Sequence, residues 1–270
     1  GTSIDGIDAS LVYTNGTKLT RTNFNIITKY SPKTRQLLNK ALDDPKNFIV
    51  KHNDASYLST LITIDHSKVV NKIIKNSGIK PFLIGFHGQT IFHNPQRKIS
   101  IQLGDGNLLS KLTKINVVYN FRSNDIKHGG QGAPIAPIYH QKIIESSNSI
   151  LPTVIINIGG ISNLSYWDGV NLIGFDIGPG NNLMDYYMKK KYRKPYDNLG
   201  KFASKGRINY TLIKGYLQNS YFLTHPPKSL ERADSFNNKY LNDIFSLPGP
   251  DCMATLCALS AFAIKDSFKF

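Results

Sequence analysis

Three short segments of the sequence combine glycines with a carboxylate or an amide, and each lies at the end of a predicted strand. They are residues 1–8 (GTSIDGID), 157–163 (NIGGISN) and 176–181 (DIGPGN). Glycines let backbone amides approach a phosphate closely, and Thr2 and Ser3 add hydroxyl donors. A single glycine turn is more often structural. Three of them in one chain predict a cleft that handles phosphate groups.

The carboxylate of Asp176 is the candidate catalytic base. A predicted strand over residues 170–175 leads into it, and a Gly-Pro-Gly turn and a helix from about Asn182 follow. A helix N-terminus favours anions, and an acid held rigidly beside it can accept a proton. Asp5 or Asp8 of the first segment could hold a magnesium ion through water.

Arg122, His87 and Gln89 are candidates for contact with a second substrate. Arg122 follows a predicted buried strand, where a guanidinium can bind a phosphate or a sugar acid in a bidentate manner. A surface ion pair with Asp125 is the structural alternative. His87 could contact a sugar hydroxyl, although a lone histidine is more often structural and the seven histidines show no metal-binding spacing. The sequence contains neither a P-loop motif nor a dinucleotide-binding glycine motif in its usual context.

Alternating strands and helices predict an α/β fold that would position these residues. Strands are predicted at residues 8–13, 82–86, 99–103, 115–119, 153–158, 162–167 and 170–175, and helices at 67–76, 107–114, 134–145 and from about 182. A glycine-rich loop at residues 129–132 precedes a helix that begins with proline. We therefore predict two domains, residues 1–131 and 132–270.

Composition narrows the class of protein. The 270 residues carry a formal net charge of +15, spread mostly as lysines among Asn and Ile, and no base-stacking aromatic pattern accompanies it, so we expect no nucleic-acid partner. No apolar run is long enough to span a membrane, and no secretory signal is evident, so we expect a cytoplasmic protein. Cys252 and Cys257 are predicted to be buried thiols on a helix in a reducing compartment.

Taken together, the segments resemble the anhydro-N-acetylmuramic acid kinases. The matching stretches are 1–8 (GTSIDGID), 85–90 (GFHGQT), 101–105 (IQLGD), 121–134 (FRSNDIKHGGQGAP), 157–163 (NIGGISN), 175–185 (FDIGPGNNLMD) and 251–255 (DCMAT). They follow one another in order over nearly the whole chain, which makes the resemblance highly specific.

The resemblance implies a two-domain actin and hexokinase-like (ribonuclease H-like) fold, with ATP and sugar in an interdomain cleft. It implies a cytoplasmic, ATP- and Mg²⁺-dependent enzyme of peptidoglycan recycling that converts 1,6-anhydro-N-acetylmuramic acid into N-acetylmuramic acid 6-phosphate. Asp176 would deprotonate the attacking water, and Arg122, with His87 and Gln89, would hold the sugar. ATP would contact the first and second loops, namely Gly1, Thr2, Ser3, Ile4, Asp5, Gly6, Ile7, Asp8, Gly159 and Gly160. A homodimer is compatible with the resemblance.

Two departures from the family pattern keep an alternative open. Asn120 stands where the family usually has Asp. No strand precedes Gly1, and the family's further nucleotide-binding segment and a further substrate-contacting acid do not follow before Phe270, so we expect a chain truncated at both ends. The alternative is an inactive pseudokinase or remnant. A different sugar kinase of the same fold is a third hypothesis, which the GFHGQT and FRSNDIKHGGQGAP stretches disfavour.

Overall fold

The computed structural model describes residues 6–230, 235–236 and 238–270. The chain divides into two compact units, Gly1–Gly132 and Ala133–Phe270. Each unit combines strands with helices, which confirms the predicted α/β class.

The first unit begins with a hairpin and continues as alternating helices and strands. Its elements are β1 (Ile7–Thr14), β2 (Leu19–Thr28), α1 (Pro32–Asp43), α2 (Pro45–Val50), α3 (His52–Ser77), β3 (Leu83–Phe86), β4 (Gln89–Asn94), β5 (Ile99–Leu103), α4 (Gly106–Thr113), β6 (Asn116–Tyr119) and α5 (Phe121–Lys127). Strands β1 and β2 pair antiparallel, as do β4 and β5, whereas β3 and β6 pair parallel.

Local chemistry explains where several of these elements end. The β1–β2 turn is closed by Asn15, whose side-chain oxygen accepts from the amides of Thr17 at 3.1 Å and Lys18 at 2.8 Å. Helix α3 ends at Gly78, which adopts the left-handed conformation (φ 68°) that a glycine cap supplies. The predicted helix over residues 67–76 is therefore confirmed, as the last part of a longer helix.

The predicted strand before Arg122 forms, but the prediction that it is buried is wrong. Ile115 is buried, whereas Val118 and Tyr119 of β6 are exposed. An apolar run does not by itself distinguish a strand covered on both faces from one covered on a single face.

A buried carboxylate joins two helices of the first unit. Asp65 of α3 accepts hydrogen bonds from the amide of Ser31 at 3.0 Å and from the hydroxyl of Thr34 at 2.7 Å. Ser31 is the N-cap of α1. Burial alone would raise the pKa of the Asp65 carboxyl, but the hydrogen bonds from Thr34 and Ser31 lower it below its usual value.

The second unit consists of an antiparallel sheet covered by helices. Its elements are α6 (Pro137–Ser146), β7 (Thr153–Ile158), β8 (Ile161–Trp167), β9 (Leu172–Pro179), α7 (Asn182–Tyr192), α8 (Tyr210–Leu217), α9 (Ser220–Leu223), α10 (Tyr240–Ser246) and α11 (Gly249–Ser267). The strand order is β7-β8-β9. The predicted hairpin turning at Gly159 and Gly160 is confirmed, because Ile158 pairs with Ser162.

Helix α11 supplies much of the core beneath this sheet. It packs against β9, α7, α8 and α10, and its residues Met253, Leu256 and Leu259 are fully buried. Cys252 on the same helix is buried as predicted, but Cys257 is exposed. Because five residues along a helix turn the side chain by about 500°, the two thiols point in different directions and cannot both face the core.

No helix in the described part of the chain is long and apolar enough to cross a membrane.

Replacing Asp65 with alanine should destabilise the first unit. The amide of Ser31 and the hydroxyl of Thr34 would lose their acceptor, at a cost of about 1–3 kcal/mol in the free energy of unfolding measured with urea. Asp43→Ala at the exposed end of α1 is the matched control and should change it by less than about 0.5 kcal/mol. Equal effects of the two substitutions would contradict the structural role of Asp65.

Candidate active site

Asp176 lies inside a strand, not at the end of one. Strand β9 continues through it to Pro179, and Asp176 pairs with Asn163 of β8 beside a register shift between Ser162 and Asn163. Its residue is only 7% exposed. The prediction that the strand ends at residue 175 is wrong, because pairing with β8 carries the extended backbone through the Gly-Pro sequence.

Hydrogen bonds from another part of the unit fix Asp176. The amide of Leu230 donates to its Oδ2 atom at 3.0 Å. The Asp176 amide donates to the carbonyl of Lys228 at 3.1 Å, and the hydroxyl of Tyr221 donates to the Asp176 carbonyl at 2.5 Å. Both the backbone and the carboxylate are therefore held in place, which is what a general base requires.

The backbone amides at the start of α7 are hydrogen-bonded to other backbone groups of the same unit. Those of Gly180 and Asn182 donate to the carbonyl of Gly160 at 2.9 and 3.2 Å, and that of Asn181 donates to the carbonyl of Gly159 at 2.8 Å. The expectation that this helix start attracts an anion must be revised for these three amides, since they already have carbonyl acceptors. Their role is to tie the third glycine segment to the second.

Neither local packing nor backbone conformation requires a glycine at position 159 or 160. A Cβ atom on either would lie 3.5 Å or more from its nearest neighbours, and neither adopts a left-handed conformation. A Cβ on Gly180, by contrast, would lie 2.2 Å from the carbonyl oxygen of Gly159. Glycine at positions 159 and 160 therefore leaves a half-buried backbone without side chains, and such a backbone can be approached closely by a phosphate.

The first predicted phosphate loop lies largely outside the described residues. This is so for Gly1, Thr2, Ser3, Ile4 and Asp5.

The remaining residues of that segment have three different surroundings. Gly6 lies so close to β2 that a Cβ would come within 2.2 Å of the Thr28 carbonyl oxygen. Ile7 belongs to the hydrophobic core of the first unit. Asp8 is exposed on β1. No cluster of three or more potential metal ligands occurs among the described residues.

Arg122 and His87 contact one another. Arg122 is the second residue of α5, and its Nε donates to His87 Nε2 at 2.9 Å while Nη1 donates to the carbonyl of Gly132 at 2.7 Å. The carboxylate of Asp125 accepts from the amide of Gly132 at 2.6 Å. The guanidinium is therefore positioned by the glycine-rich loop and by a histidine.

His87 is a neutral hydrogen-bond acceptor in this pair. Burial, with a further contribution from the Arg122 charge, lowers its pKa to about 4. Because Nε2 accepts from Arg122, Nδ1 carries the proton and donates to the Gly88 carbonyl at 2.8 Å. Burial and Arg122 also lower the pKa of His93 to about 4.

Gln89 is buried at the start of β4, two residues after His87. It is 3% exposed, its Oε1 accepts from the hydroxyl of Tyr30 at 3.2 Å, and its Nε2 donates to the Thr90 carbonyl at 3.3 Å.

Asn120 departs from the usual family residue at a conformationally special position. It adopts the left-handed conformation (φ 61°, ψ 41°) immediately before α5. Asn and Asp both tolerate this conformation, so the backbone that presents Arg122 is compatible with either residue.

Sequence reasoning missed the residues that hold Asp176. Tyr221, Lys228 and Leu230 lie 45 to 54 positions further along the chain. No local pattern predicts their contacts, although a lysine that follows two prolines and is buried among aromatic residues is unusual once the fold is known.

A glycine turn and a buried, fixed carboxylate thus lie in one sheet of the second unit, on the β7–β8 hairpin and on β9. The comparisons identify the family. The chain belongs to the anhydro-N-acetylmuramic acid kinase family, whose model matches residues 1–269.

Curated relatives support the same assignment. A protein named anhydro-N-acetylmuramic acid kinase from Pelagibacter ubique is 40% identical over 275 residues, covering 99% of this chain and 72% of the relative. Proteins of the same name from Rhodopseudomonas palustris and Zymomonas mobilis are 37% and 35% identical, covering 98% and 100% of this chain and 73% and 75% of the relatives. Nothing in these comparisons favours an inactive remnant.

His87→Gln should reduce the loss of stability in acid. The folded-state pKa of His87 lies below its ordinary value of 6.5. Between about pH 6.5 and pH 4 the unfolded chain therefore binds a proton that the folded chain does not, and stability falls by up to about 1.4 kcal/mol per pH unit as pH falls. Glutamine keeps an acceptor for Arg122 and does not titrate.

Urea unfolding at several pH values from 4.5 to 7 measures this effect. His128→Gln, at an exposed site in the same unit, is the matched control for the substitution itself. A slope for His87→Gln equal to that of the wild type would show that His87 does not titrate as a buried neutral histidine.

Proposed function

We propose that this protein is an ATP-dependent kinase that opens the anhydro ring of 1,6-anhydro-N-acetylmuramic acid and phosphorylates its 6-oxygen. The products are N-acetylmuramic acid 6-phosphate and ADP. The observation that carries the proposal is membership of the anhydro-N-acetylmuramic acid kinase family over residues 1–269.

Asp176 is assigned as the base. It accepts a proton from water as the water oxygen bonds to the anomeric carbon and the bond from that carbon to O6 breaks. The freed O6 then takes the γ-phosphoryl group. The Leu230 amide, which donates to Oδ2, helps to orient the carboxylate for this proton transfer.

Arg122 is assigned to the sugar, and His87 acts through it. Nε and Nη1 of the Arg122 guanidinium donate to His87 and to the Gly132 carbonyl, and these two bonds orient the planar group. Muramic acid carries a carboxylate, which suits a guanidinium. Gln89 supports the same substrate site by anchoring the start of β4, two residues after His87.

The glycine segments are assigned to the phosphates of ATP. The segment at residues 1–8 is assigned to the first phosphate contact and Gly159 with Gly160 to the second, where the open backbone supports the assignment. A magnesium ion, held through water by Asp5 or Asp8, would neutralise phosphate charge during transfer.

Membership of the family also supports proposals on the fold, the cellular location and the partners of this protein. The two units form an actin and hexokinase-like, ribonuclease H-like fold, with domains at residues 1–131 and 132–270. The enzyme acts in the cytoplasm in peptidoglycan recycling and amino sugar catabolism. Its partner is the small anhydro-sugar, with neither nucleic acid nor membrane involved, and it is compatible with a homodimer.

Asp176→Asn should abolish turnover while leaving the fold intact. Asparagine is nearly the same size and still accepts from the Leu230 amide, but it cannot take the proton from water. A coupled assay of sugar-dependent ADP release should show kcat lower by about 10²–10⁴-fold. Asp243→Asn, on the exposed side of α10, is the matched control. A wild-type chain with no turnover would sink the proposed function, and an active Asp176→Asn variant would sink the base assignment.

Gly160→Ala should weaken ATP binding without lowering the stability of the fold. The added methyl fits the fold, so thermal stability should stay the same or rise by up to about 1 kcal/mol. It would obstruct a phosphate approaching the turn, and the KM for ATP should rise about tenfold, equivalent to about 1.4 kcal/mol.

Gly180→Ala provides the contrast, because its methyl would collide with the Gly159 carbonyl and should cost about 1–3 kcal/mol of stability. An unchanged KM for ATP in stable Gly160→Ala would contradict the second phosphate loop.

A further inference from the structure

The ammonium of Lys228 is buried among aromatic rings. The residue is 6% exposed, and Nζ lies 4.3 Å from the ring centroid of Phe270, 5.0 Å from that of Tyr221 and 5.5 Å from that of Phe175. Nζ also donates to the backbone carbonyl of Tyr221 at 3.1 Å. Aromatic faces attract a cation, and they do so most strongly where water is excluded.

Burial opposes the charged form of the Lys228 side chain. Desolvation, with repulsion from Lys269, lowers the pKa of Lys228 from 10.5 to about 8. A lowered lysine pKa means that folding disfavours the charged form, so stability from this group rises as pH increases from about 8 to about 10.5. A neutral side chain of similar length would be the more stable choice at neutral pH.

The groups that hold the ammonium are also the groups that hold Asp176. Tyr221 accepts from Lys228 through its backbone and donates its hydroxyl to the Asp176 carbonyl. The Lys228 carbonyl accepts from the Asp176 amide, and Leu230, two residues on, donates to the carboxylate. Phe175, one of the three aromatic residues around the Lys228 ammonium, directly precedes Asp176.

We propose that Lys228 is a positioning residue for Asp176. Its ammonium holds residues 228–230 and Tyr221 together beside β9. We call this set of contacts the clamp, and it fixes the backbone and the carboxylate of the base. The inference rests on the proposed function, in which Asp176 deprotonates water. A displacement of about 1 Å in a catalytic group can cost up to about 10²-fold in rate, so loosening the clamp should affect turnover more than binding.

Lys228→Met tests the proposal, because methionine keeps the length and apolar character of the side chain but removes the charge. At pH 7 kcat should fall about tenfold or more while the KM values for ATP and the anhydro-sugar stay within about twofold. The melting temperature should be equal to that of the wild type or higher. Lys190→Met is the matched control, since Lys190 also lies over a ring, that of Tyr186 at 5.7 Å, but is exposed on α7.

The pH dependence of kcat provides a second measurement. The ratio of wild-type to Lys228→Met kcat should shrink above about pH 8, where the wild-type ammonium loses its proton. The other charged or titratable groups beside this side chain, Tyr221, Lys269 and His225, whose ring lies 5.0 Å from that of Phe270, are present in both proteins.

Three outcomes would overturn the positioning role. They are an unchanged kcat, a fall in kcat that accompanies a lower melting temperature, and a ratio that does not vary with pH. If Lys228→Met does not fold, Lys228→Gln, which is neutral but still able to donate to the Tyr221 carbonyl, carries the same expectations. A wild-type chain without turnover would instead contradict the proposed function, so the two failures are distinguishable.

Discussion

The buried carboxylate of Asp176 is the constraint around which the second unit is arranged. A carboxylate removed from water needs hydrogen-bond donors, and the Leu230 amide is one of them. The backbone of Asp176 is bonded to the same part of the chain, through its amide to the Lys228 carbonyl and through its carbonyl to the Tyr221 hydroxyl.

Glycines in the same unit show two different physical demands. Gly180 is required because the start of α7 approaches the Gly159 carbonyl too closely for any side chain. That approach lets the amides of residues 180–182 bind the carbonyls of the turn and so makes the turn rigid. Gly159 and Gly160 carry no such crowding, so the rigid turn presents an open backbone. A phosphate loop needs a backbone that is both rigid and accessible.

The sequence predicted the elements that depend on local patterns. Periodicity and turn residues located the hairpin at Gly159 and Gly160, strand β5 and the glycine-capped end of α3. It failed where a distant partner decides the outcome. Pairing with β8 extends β9 past Asp176, and carbonyl acceptors occupy the amides of α7 that were expected to face an anion. His87 was predicted as a ligand contact, but only the fold brings Arg122 to its Nε2 atom.

Burial of a titratable group supports the neighbouring contacts in the first unit and opposes them in the second. At His87 desolvation favours the neutral imidazole, and that is the form with an acceptor for the Arg122 guanidinium, so the shift in pKa and the hydrogen bond support each other. At Lys228 desolvation opposes the charged form that the aromatic rings and the Tyr221 carbonyl attract. The charged form of Lys228 therefore has to be held by those contacts against the cost of burial. Because the same residue accepts a hydrogen bond from the amide of Asp176, what holds the ammonium also acts on the backbone of the proposed base.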